Sequence, residues 1–251
     1  MTTLQFKNGF SSEEIDVPVG LVNYLEKKTR RITYSIKKSR YSVTDIVGCS
    51  RKNYYKSQQF EEEELLNDAT IENMWDSVRG DLLHQITYAY KWREMDYDYN
   101  VILKDGRTAT LTGRLDMYDW KTATIIDLKT TKFVKWQKKQ GYIPRAEHIL
   151  QLLCYNTIFS RIIPVENLNV LYVDMNDLVA FRIRRRDLKE WIRSRIQDLE
   201  DSIIENKVPN GEVSGICKYC KYQIECYNTG SGLTTKPLSL PRNSPIKIKQ
   251  E

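Results

Sequence analysis

Two carboxylates and a lysine stand close together in a stretch of strand character. The side chains of 122–130 alternate between two faces, so Asp127 and Lys129 share one face. An apolar strand rarely carries two charged neighbours about 6–7 Å apart. Asp116 lies in the preceding strand, and a hairpin turning at 119–121 would bring it towards Asp127 at one end of a sheet.

These residue types together favour metal-assisted hydrolysis of a phosphodiester. Two converging carboxylates repel each other unless a cation lies between them, and a hard divalent ion such as Mg²⁺ or Mn²⁺ prefers oxygen ligands. Lys129 could orient or help deprotonate an attacking water and neutralise charge on a phosphoryl transition state. The alternative is a solvated ion pair between Asp127 and Lys129 on an exposed sheet face.

Two helical segments carry further candidates for the same pocket. His84 lies on or beside an apolar stripe, where it is either a third metal ligand, especially for Mn²⁺, or a buried histidine satisfied by one hydrogen bond. Gln151 and Tyr155 are four residues apart and share a helix face, so they could contact phosphate, base or a metal-bound water. They could equally be a partly buried polar pair. We interpret His148 as structural or DNA-facing.

The cysteines indicate a second centre. Of the five, Cys154 lies inside the 151–155 segment and is expected to be a buried free thiol. The other four are Cys49, Cys217, Cys220 and Cys226. An odd number, with three thiols inside ten residues, fits a disulfide framework poorly and predicts a reducing, cytoplasmic location. Four thiolates with a Cys-x-x-Cys turn suit Zn²⁺ and an iron–sulfur cluster equally.

The elements that must position these residues follow from periodicity and turn signals. Ser42 with Asp45 predicts the start of a short helix that ends near Cys49. Longer helices are predicted at 61–90, 146–161 and 187–206, and strands at 97–104, 107–120, 122–130, 168–174 and 179–184. The first three strands form a meander, and the whole order predicts a mixed α/β (α+β) core with a central mixed sheet flanked by helices.

Composition limits the protein class. The chain has 251 residues, 41% of them hydrophobic, and a formal charge of +6. No apolar run approaches the roughly 20 residues that span a bilayer, and the beginning of the chain does not resemble a secretory signal. We therefore expect neither a membrane protein nor a small disulfide scaffold. About half of the positive excess lies in 229–251, which is predicted to be a flexible basic tail.

Local basic clusters favour nucleic acid more than the global charge does. The first cluster begins just after Asp127, and Phe133 and Trp136 lie between its lysines. It consists of Lys129, Lys132, Lys135, Lys138 and Lys139. The second consists of Arg182, Arg184, Arg185, Arg186, Lys189, Arg193 and Arg195. Cations that track phosphates beside rings that stack on bases are typical of single-strand binding. The predicted partner is single-stranded DNA or a DNA end.

The ordered set of residues resembles the RecB-like branch of the PD-(D/E)XK nucleases. The resemblance is carried by His84, Gly113-Arg114-Leu115-Asp116, Asp127-Leu128-Lys129, Gln151-x-x-x-Tyr155 and the four spaced cysteines. It covers 41–227, and the cysteines place it nearest the CRISPR-associated RecB-like exonucleases. Leu115 stands where the family's name has proline.

The resemblance implies a role for each matching position. The catalytic metal, Mn²⁺ or Mg²⁺, would be bound by His84, Asp116, Asp127 and the Leu128 carbonyl. Lys129 would be the catalytic lysine, supported by Gln151 and Tyr155. Cys49, Cys217, Cys220 and Cys226 would ligate a [4Fe–4S] cluster that closes a nuclease domain at 41–228, after an N-terminal extension at 1–40.

The implied activity is a metal-dependent deoxyribonuclease with a PD-(D/E)XK, restriction-endonuclease-like core. The nearest resemblance implies a single-strand exonuclease in CRISPR spacer acquisition or end processing, with CRISPR adaptation proteins as partners. A viral or mobile-element nuclease for replication or recombination would carry the same motifs. The alternative comes from a different class of protein. Because the cysteine spacing alone also fits structural zinc, the chain could be a non-catalytic nucleic-acid-binding module that zinc stabilises.

Overall fold

The computed structural model describes most of the chain. The described residues are 3–5, 11–13, 17–29, 31–33, 39–58, 62–64, 70–213, 217, 220–229 and 233–234. Most of the predicted tail at 229–251 therefore lies outside the described residues. Within them, no helix is both long enough and apolar enough to cross a membrane.

The secondary structure follows the expected mixed pattern. The strands are β1 (Thr3–Gln5), β2 (Ser11–Glu13), β3 (Arg31–Thr33), β4 (Arg40–Ser42), β5 (Glu62–Glu64), β6 (Trp92–Ile102), β7 (Thr108–Asp119), β8 (Thr124–Thr130), β9 (Asn167–Val173), β10 (Leu178–Ile183), β11 (Gly211–Glu212) and β12 (Leu233–Thr234). The helices are α1 (Val19–Thr29), α2 (Val43–Val47), α3 (Ser50–Gln58), α4 (Ile71–His84), α5 (Val134–Lys139), α6 (Ala146–Phe159), α7 (Lys189–Ile204) and α8 (Gln223–Asn228).

The chain divides into two compact units, the first made of 1–33 and 62–82. In this unit β1 pairs with β2, β3 pairs with β5, and Leu25 of α1 packs with Met74 and Val78 of α4. The predicted helix over 61–90 is wrong at both ends: 62–64 is a strand, and 85–89 is a 3₁₀ helix. Among the described residues, the apolar side chains of α4 that pack against Leu25 are Ile71, Met74 and Val78, whereas Glu62–Glu64 pairs as a strand with β3.

The second unit, 34–61 and 83–251, contains the central mixed sheet. Its order is β10-β9-β8-β7-β4, with β6 also paired to β7. The predicted meander is confirmed, because β6–β7 and β7–β8 are antiparallel; β8–β9 and β4–β7 are parallel. This agrees with the predicted mixed sheet flanked by helices.

Helix α6 covers one face of the sheet. Its Leu152, Ile158 and Phe159 pack in a large apolar cluster with Leu115 of β7 and Ile125 of β8. The opposite face carries a smaller cluster formed by Met117, Ile126, Leu128 and Val173, against which Leu83 packs. Strand β8 is therefore buried on both faces, which is the usual condition of a strand with a parallel neighbour.

The short helix before Cys49 begins as expected. Ser42 accepts from the backbone N–H of Asp45, and the Asp45 side chain accepts from the Ser42 N–H, which completes a capping box. Cys49 then lies in the short link between α2 and α3.

Candidate active site

The two carboxylates meet where the β7–β8 ladder ends. Met117 pairs with Ile126, and the regular pairing continues from there only towards the turn. One residue further, where Asp116 and Asp127 would face each other, the Asp116 Oδ2 instead accepts from the Leu128 backbone N–H at 2.7 Å. The strands thus separate at this point and leave both carboxylates at the opening.

Asp127 is a buried acid in contact with a lysine. It is only 1% exposed, and the Lys129 Nζ lies 2.7 Å from its Oδ2. Burial raises the pKa of Asp127 to about 6; the Lys129 ammonium opposes this rise and the Asp116 carboxylate adds to it. A solvated surface ion pair, the alternative considered from the sequence, does not describe this arrangement, because burial removes the solvent.

The donor set fits a divalent cation. Asp127 Oδ1 is buried and has no hydrogen-bond partner among the described residues, which is costly unless a cation satisfies it. Asp116, half-buried beside it, supplies a second carboxylate. Over the described part of the chain, however, no three His, Cys, Asp or Glu side chains are arranged so that they could hold a metal.

The Asp127 environment predicts a pH dependence of stability in the absence of divalent ions. Its folded pKa lies above the ordinary value of 3.8, so the folded state binds a proton more readily than the unfolded chain. Between about pH 7.5 and about pH 5.5, the unfolding free energy of the wild type should rise by about 1 kcal/mol relative to Asp127→Asn. Urea denaturation in EDTA measures this. Asp98→Asn is the control, and parallel curves for wild type and Asp127→Asn would contradict the prediction.

Helix α6 presents the predicted glutamine–tyrosine pair to the carboxylates. Gln151 Nε2 donates to Tyr155 Oη at 2.8 Å. Burial raises the pKa of Tyr155, and the nearby negative charges of Asp127 and Asp116 add to the effect. The phenol therefore remains protonated at neutral pH. The structure brings Gln151 and Tyr155 to the same pocket as Asp116, Asp127 and Lys129.

Gly113 determines how closely helix α6 packs against strand β7. A Cβ there would overlap Ile158 Cδ1 and lie 3.1 Å from Phe159 Cε2 and 3.4 Å from Tyr155 Cδ1. Those three side chains are buried, so little room exists for relief. Glycine at this position is what allows α6 to hold Tyr155 beside the strand carboxylates.

Gly113→Ala should therefore destabilise the protein and weaken catalysis together. Overpacking of this kind costs about 1–3 kcal/mol and displaces α6, which carries Tyr155. Urea denaturation and kcat/KM measurements check both effects. Gly20→Ala is the matched control, because nothing lies within 4 Å of its added Cβ in α1 and alanine favours a helix. A Gly113→Ala protein with wild-type stability would contradict the close contact.

Tyr172, which had no predicted role, and His148, predicted to be structural or DNA-facing, lie on this side of the pocket. Tyr172 is the register partner of Lys129 on β9, and its hydroxyl accepts from the Arg145 N–H at 3.0 Å and lies 2.7 Å from His148 Nδ1. Burial, followed by the charges of Lys129 and Arg145, lowers the pKa of His148 to about 3. His148 is thus a neutral, structural histidine. Tyr172 belonged to an apolar strand pattern that gave no functional signal.

His84 stands apart from this grouping. It is the last residue of α4 and is half-buried. Its neighbour Leu83 packs against the cluster that contains Leu128, so the end of the helix lies on the opposite side of β8 from α6. Among the described residues, His84 belongs to no group of three side chains that could hold a metal.

The four predicted cluster cysteines line one cavity. This cavity, of about 120 Å³, is bordered by α3, β11, α8 and the loop between the last two elements, and contains Cys49, Cys217, Cys220 and Cys226 in its wall. Burial raises the pKa of Cys220, and the neighbouring thiols of Cys49 and Cys217 contribute. Cys49 lies 168 positions before Cys217 in the sequence (217 − 49), so the fold brings distant segments together at this cavity.

Backbone and side-chain donors point at these sulfurs. The Glu212 N–H donates to Cys49 Sγ at 3.4 Å, and Arg51 Nη1 lies 3.7 Å from Cys226 Sγ. Arg51 is only 2% exposed, and it also donates to the carbonyls of Pro209 and Cys226. A buried guanidinium is suited to balancing thiolate charge. No local pattern pointed to Arg51, since its contacts come from residues more than 150 positions away.

The fifth cysteine behaves as expected. Cys154 is fully buried in the α6 cluster, and burial raises the pKa of its thiol. It is therefore a protonated packing residue, away from the cavity of the other four.

Only some of the side chains in the second basic cluster are available to bind a ligand at the surface. In the second cluster, Arg195 binds the carbonyls of Ile46 and Gly48 and pairs with Glu212 at 2.6 Å, so it holds the structure together. Arg193 pairs with Glu190. Nearby carboxylates and carbonyls therefore engage these two side chains, while DNA as the partner of the remaining basic residues stays a prediction.

Comparison with known proteins gives a family. The model of the PD-(D/E)XK nuclease superfamily matches residues 42–227. A solved structure described as "Crystal structure of SSO0001" is similar in fold, with a TM-score of 0.59 and 21% identity over 85% of this chain and 96% of that chain. A search of the curated proteins finds no match. The chain belongs to the PD-(D/E)XK nuclease superfamily, whose members are metal-dependent nucleases that hydrolyse phosphodiester bonds and generally use Mg²⁺ or Mn²⁺.

Proposed function

We propose that this protein is a metal-dependent deoxyribonuclease that acts as an exonuclease on single-stranded DNA ends and carries a [4Fe–4S] cluster. The observation that carries the nuclease proposal is the buried Asp127, with an unsatisfied oxygen, between Asp116 and Lys129. Burying a carboxylate oxygen that has no partner costs free energy, and a bound cation would offset that cost.

The metal would be held by Asp116 and Asp127, with the Leu128 carbonyl and His84 as further ligands. The proposal for His84 rests on the RecB-like residue order alone, since the packing of Leu83 places this helix end on the opposite side of β8 from α6. When bound, a divalent ion polarises the scissile phosphate and makes water a better nucleophile.

Side chains of the protein itself would orient the water and the phosphate. The Lys129 ammonium lies at the carboxylate pair, where it can orient the attacking water and neutralise charge that develops on the phosphate. Tyr155 stays protonated and Gln151 fixes its hydroxyl, so the pair can donate to phosphate oxygens. The neutral His148 and Tyr172 hold the start of α6 in position.

The choice of an iron–sulfur cluster over zinc rests on the RecB-like residue order together with the four cysteines, since four thiolates suit either centre. The four cysteines line one cavity of about 120 Å³, which brings their thiols to a common site. N–H donors aimed at Cys49 and Cys226 are of the kind that tune iron–sulfur centres.

For the biological role, we propose the trimming of DNA ends before CRISPR spacer acquisition, in contact with adaptation proteins. This rests on the RecB-like residue order together with the four cysteines. A cluster with four thiolate ligands also requires a reducing compartment, consistent with the cytoplasm. A viral or mobile-element replication nuclease would use the same site, and the genes adjacent to this one would distinguish the two.

One experiment tests activity and cofactor together. Protein purified without oxygen should be brown, contain iron and acid-labile sulfide, and shorten end-labelled single-stranded DNA with Mn²⁺. Labels at either end report the direction of shortening. A colourless protein that contains zinc and leaves the DNA uncut would instead support the non-catalytic binding module. Cleavage only at internal positions would replace the exonuclease by an endonuclease.

A further inference from the structure

Phe133 combines two unfavourable features. Its side chain is 72% exposed, and its backbone has φ of +57°, in the left-handed region that bulky residues rarely adopt. Glycine or asparagine would meet the backbone requirement at lower cost. Strained, exposed residues of this kind are concentrated at ligand-binding sites.

The surrounding contacts fix this conformation. The backbone N–H of the next residue, Val134, donates to Asp174 Oδ2 at 2.7 Å. The Phe133 carbonyl accepts from the Gln137 N–H at 2.9 Å, and the Gln137 side chain donates to Thr131 Oγ1 at 2.7 Å. The segment after β8 is therefore braced on both sides, and it presents the ring outward from a rigid base.

Phe133 is accompanied by two more exposed rings. Trp136, one helical turn later, contacts Tyr142 edge-on with ring centroids 5.5 Å apart. Both are more than half exposed. We call Phe133, Trp136 and Tyr142 the aromatic ledge. Three exposed aromatic side chains within one short segment favour a binding surface there.

Charge identifies the kind of ligand. Lys132, Lys138 and Lys139 are exposed around the ledge, and so is Lys135, which also pairs with Asp177 at 2.5 Å. Lys129 of the active site is four residues before Phe133, so their Cα atoms are at most about 14 Å apart. Rings that stack bases, with cations that follow phosphates, suit an unpaired strand, whereas a duplex hides the faces of its bases.

We propose that the aromatic ledge is a stacking site for unpaired bases within the first few nucleotides of the scissile phosphate, with Phe133 as its main ring. This rests on the proposed DNA substrate. It specifies how a single strand is selected over a duplex: a paired end cannot offer a base to Phe133 and must first separate.

The test measures binding without cleavage, using wild-type protein in EDTA and a fluorescent oligothymidine. Phe133→Gly removes the ring and accepts positive φ, so it should keep the wild-type melting temperature or raise it. Its affinity for oligothymidine should fall about 10-fold or more. The dependence of the affinity on salt should stay the same, because no phosphate contact is removed.

Two further variants sharpen the result. Phe133→Trp should retain the affinity, since it keeps a stacking ring. Ile102→Ala, which removes an exposed apolar side chain from β6, should leave it unchanged. Wild-type affinity in Phe133→Gly, or equal losses for oligothymidine and a blunt duplex, would overturn the proposal. If the wild type binds oligothymidine through Phe133 but never cleaves DNA with Mn²⁺, the nuclease proposal fails and the stacking site stands.

Discussion

Replacing Asp127 by asparagine is expected to reduce DNA cleavage by at least about 10³-fold, the scale of loss when one preorganised charged group leaves an active site. Asparagine keeps the shape but removes the charge that would hold the metal. It also releases Lys129 from its 2.7 Å ion pair. Single-turnover cleavage of end-labelled single-stranded DNA over a range of Mn²⁺ concentrations measures the loss.

The fold should survive this substitution. Asp127 is buried and its charged form is disfavoured by burial, so a neutral amide is tolerated there. Iron content and oligothymidine binding should match the wild type. Asp98→Asn, on strand β6 of the same sheet, removes an exposed carboxylate that pairs with Arg40, and should cleave normally. Cleavage by Asp127→Asn within 10-fold of the wild type would contradict the assigned site.

Replacing Cys226 by serine is expected to remove the cluster and destabilise the protein by more than about 3 kcal/mol. Binding of a metal centre that exists only in the folded chain contributes directly to folding free energy. This centre would join Cys49, after α2, to the C-terminal α8. In a chain of this size, the loss corresponds to a fall in melting temperature of about 6–12 °C or more. Visible absorption, iron analysis and thermal denaturation measure the two effects.

Cys154→Ala is the matched control for this variant. Its thiol is buried in the α6 cluster, so the change should cost only a small cavity and leave the iron content unaltered. Full iron occupancy in Cys226→Ser, or equal iron loss in both variants, would contradict the proposed ligand set. Zinc bound by the wild type at one equivalent, without iron, would assign the cysteines to the other metal.

Local patterns were sufficient for much of the fold. The capping box at Ser42 and Asp45, the meander around the 119–121 turn and helix α6 depend on neighbouring residues, and the structure confirms them. The failure at 62–64 has the same origin, because a run of glutamates favours a helix end only where an apolar stripe follows directly.

The sequence by itself determined which residues are candidates for the chemistry: the order of the two aspartates, the lysine, the Gln-x-x-x-Tyr pair and the spaced cysteines. The tertiary structure decided the surroundings of each. It buried Asp127, brought α6 against Gly113, and placed Arg51 beside Cys226. It also gave Phe133 its left-handed, exposed conformation. These features arise from contacts between distant segments, which set burial and local charge, and no local pattern encodes them.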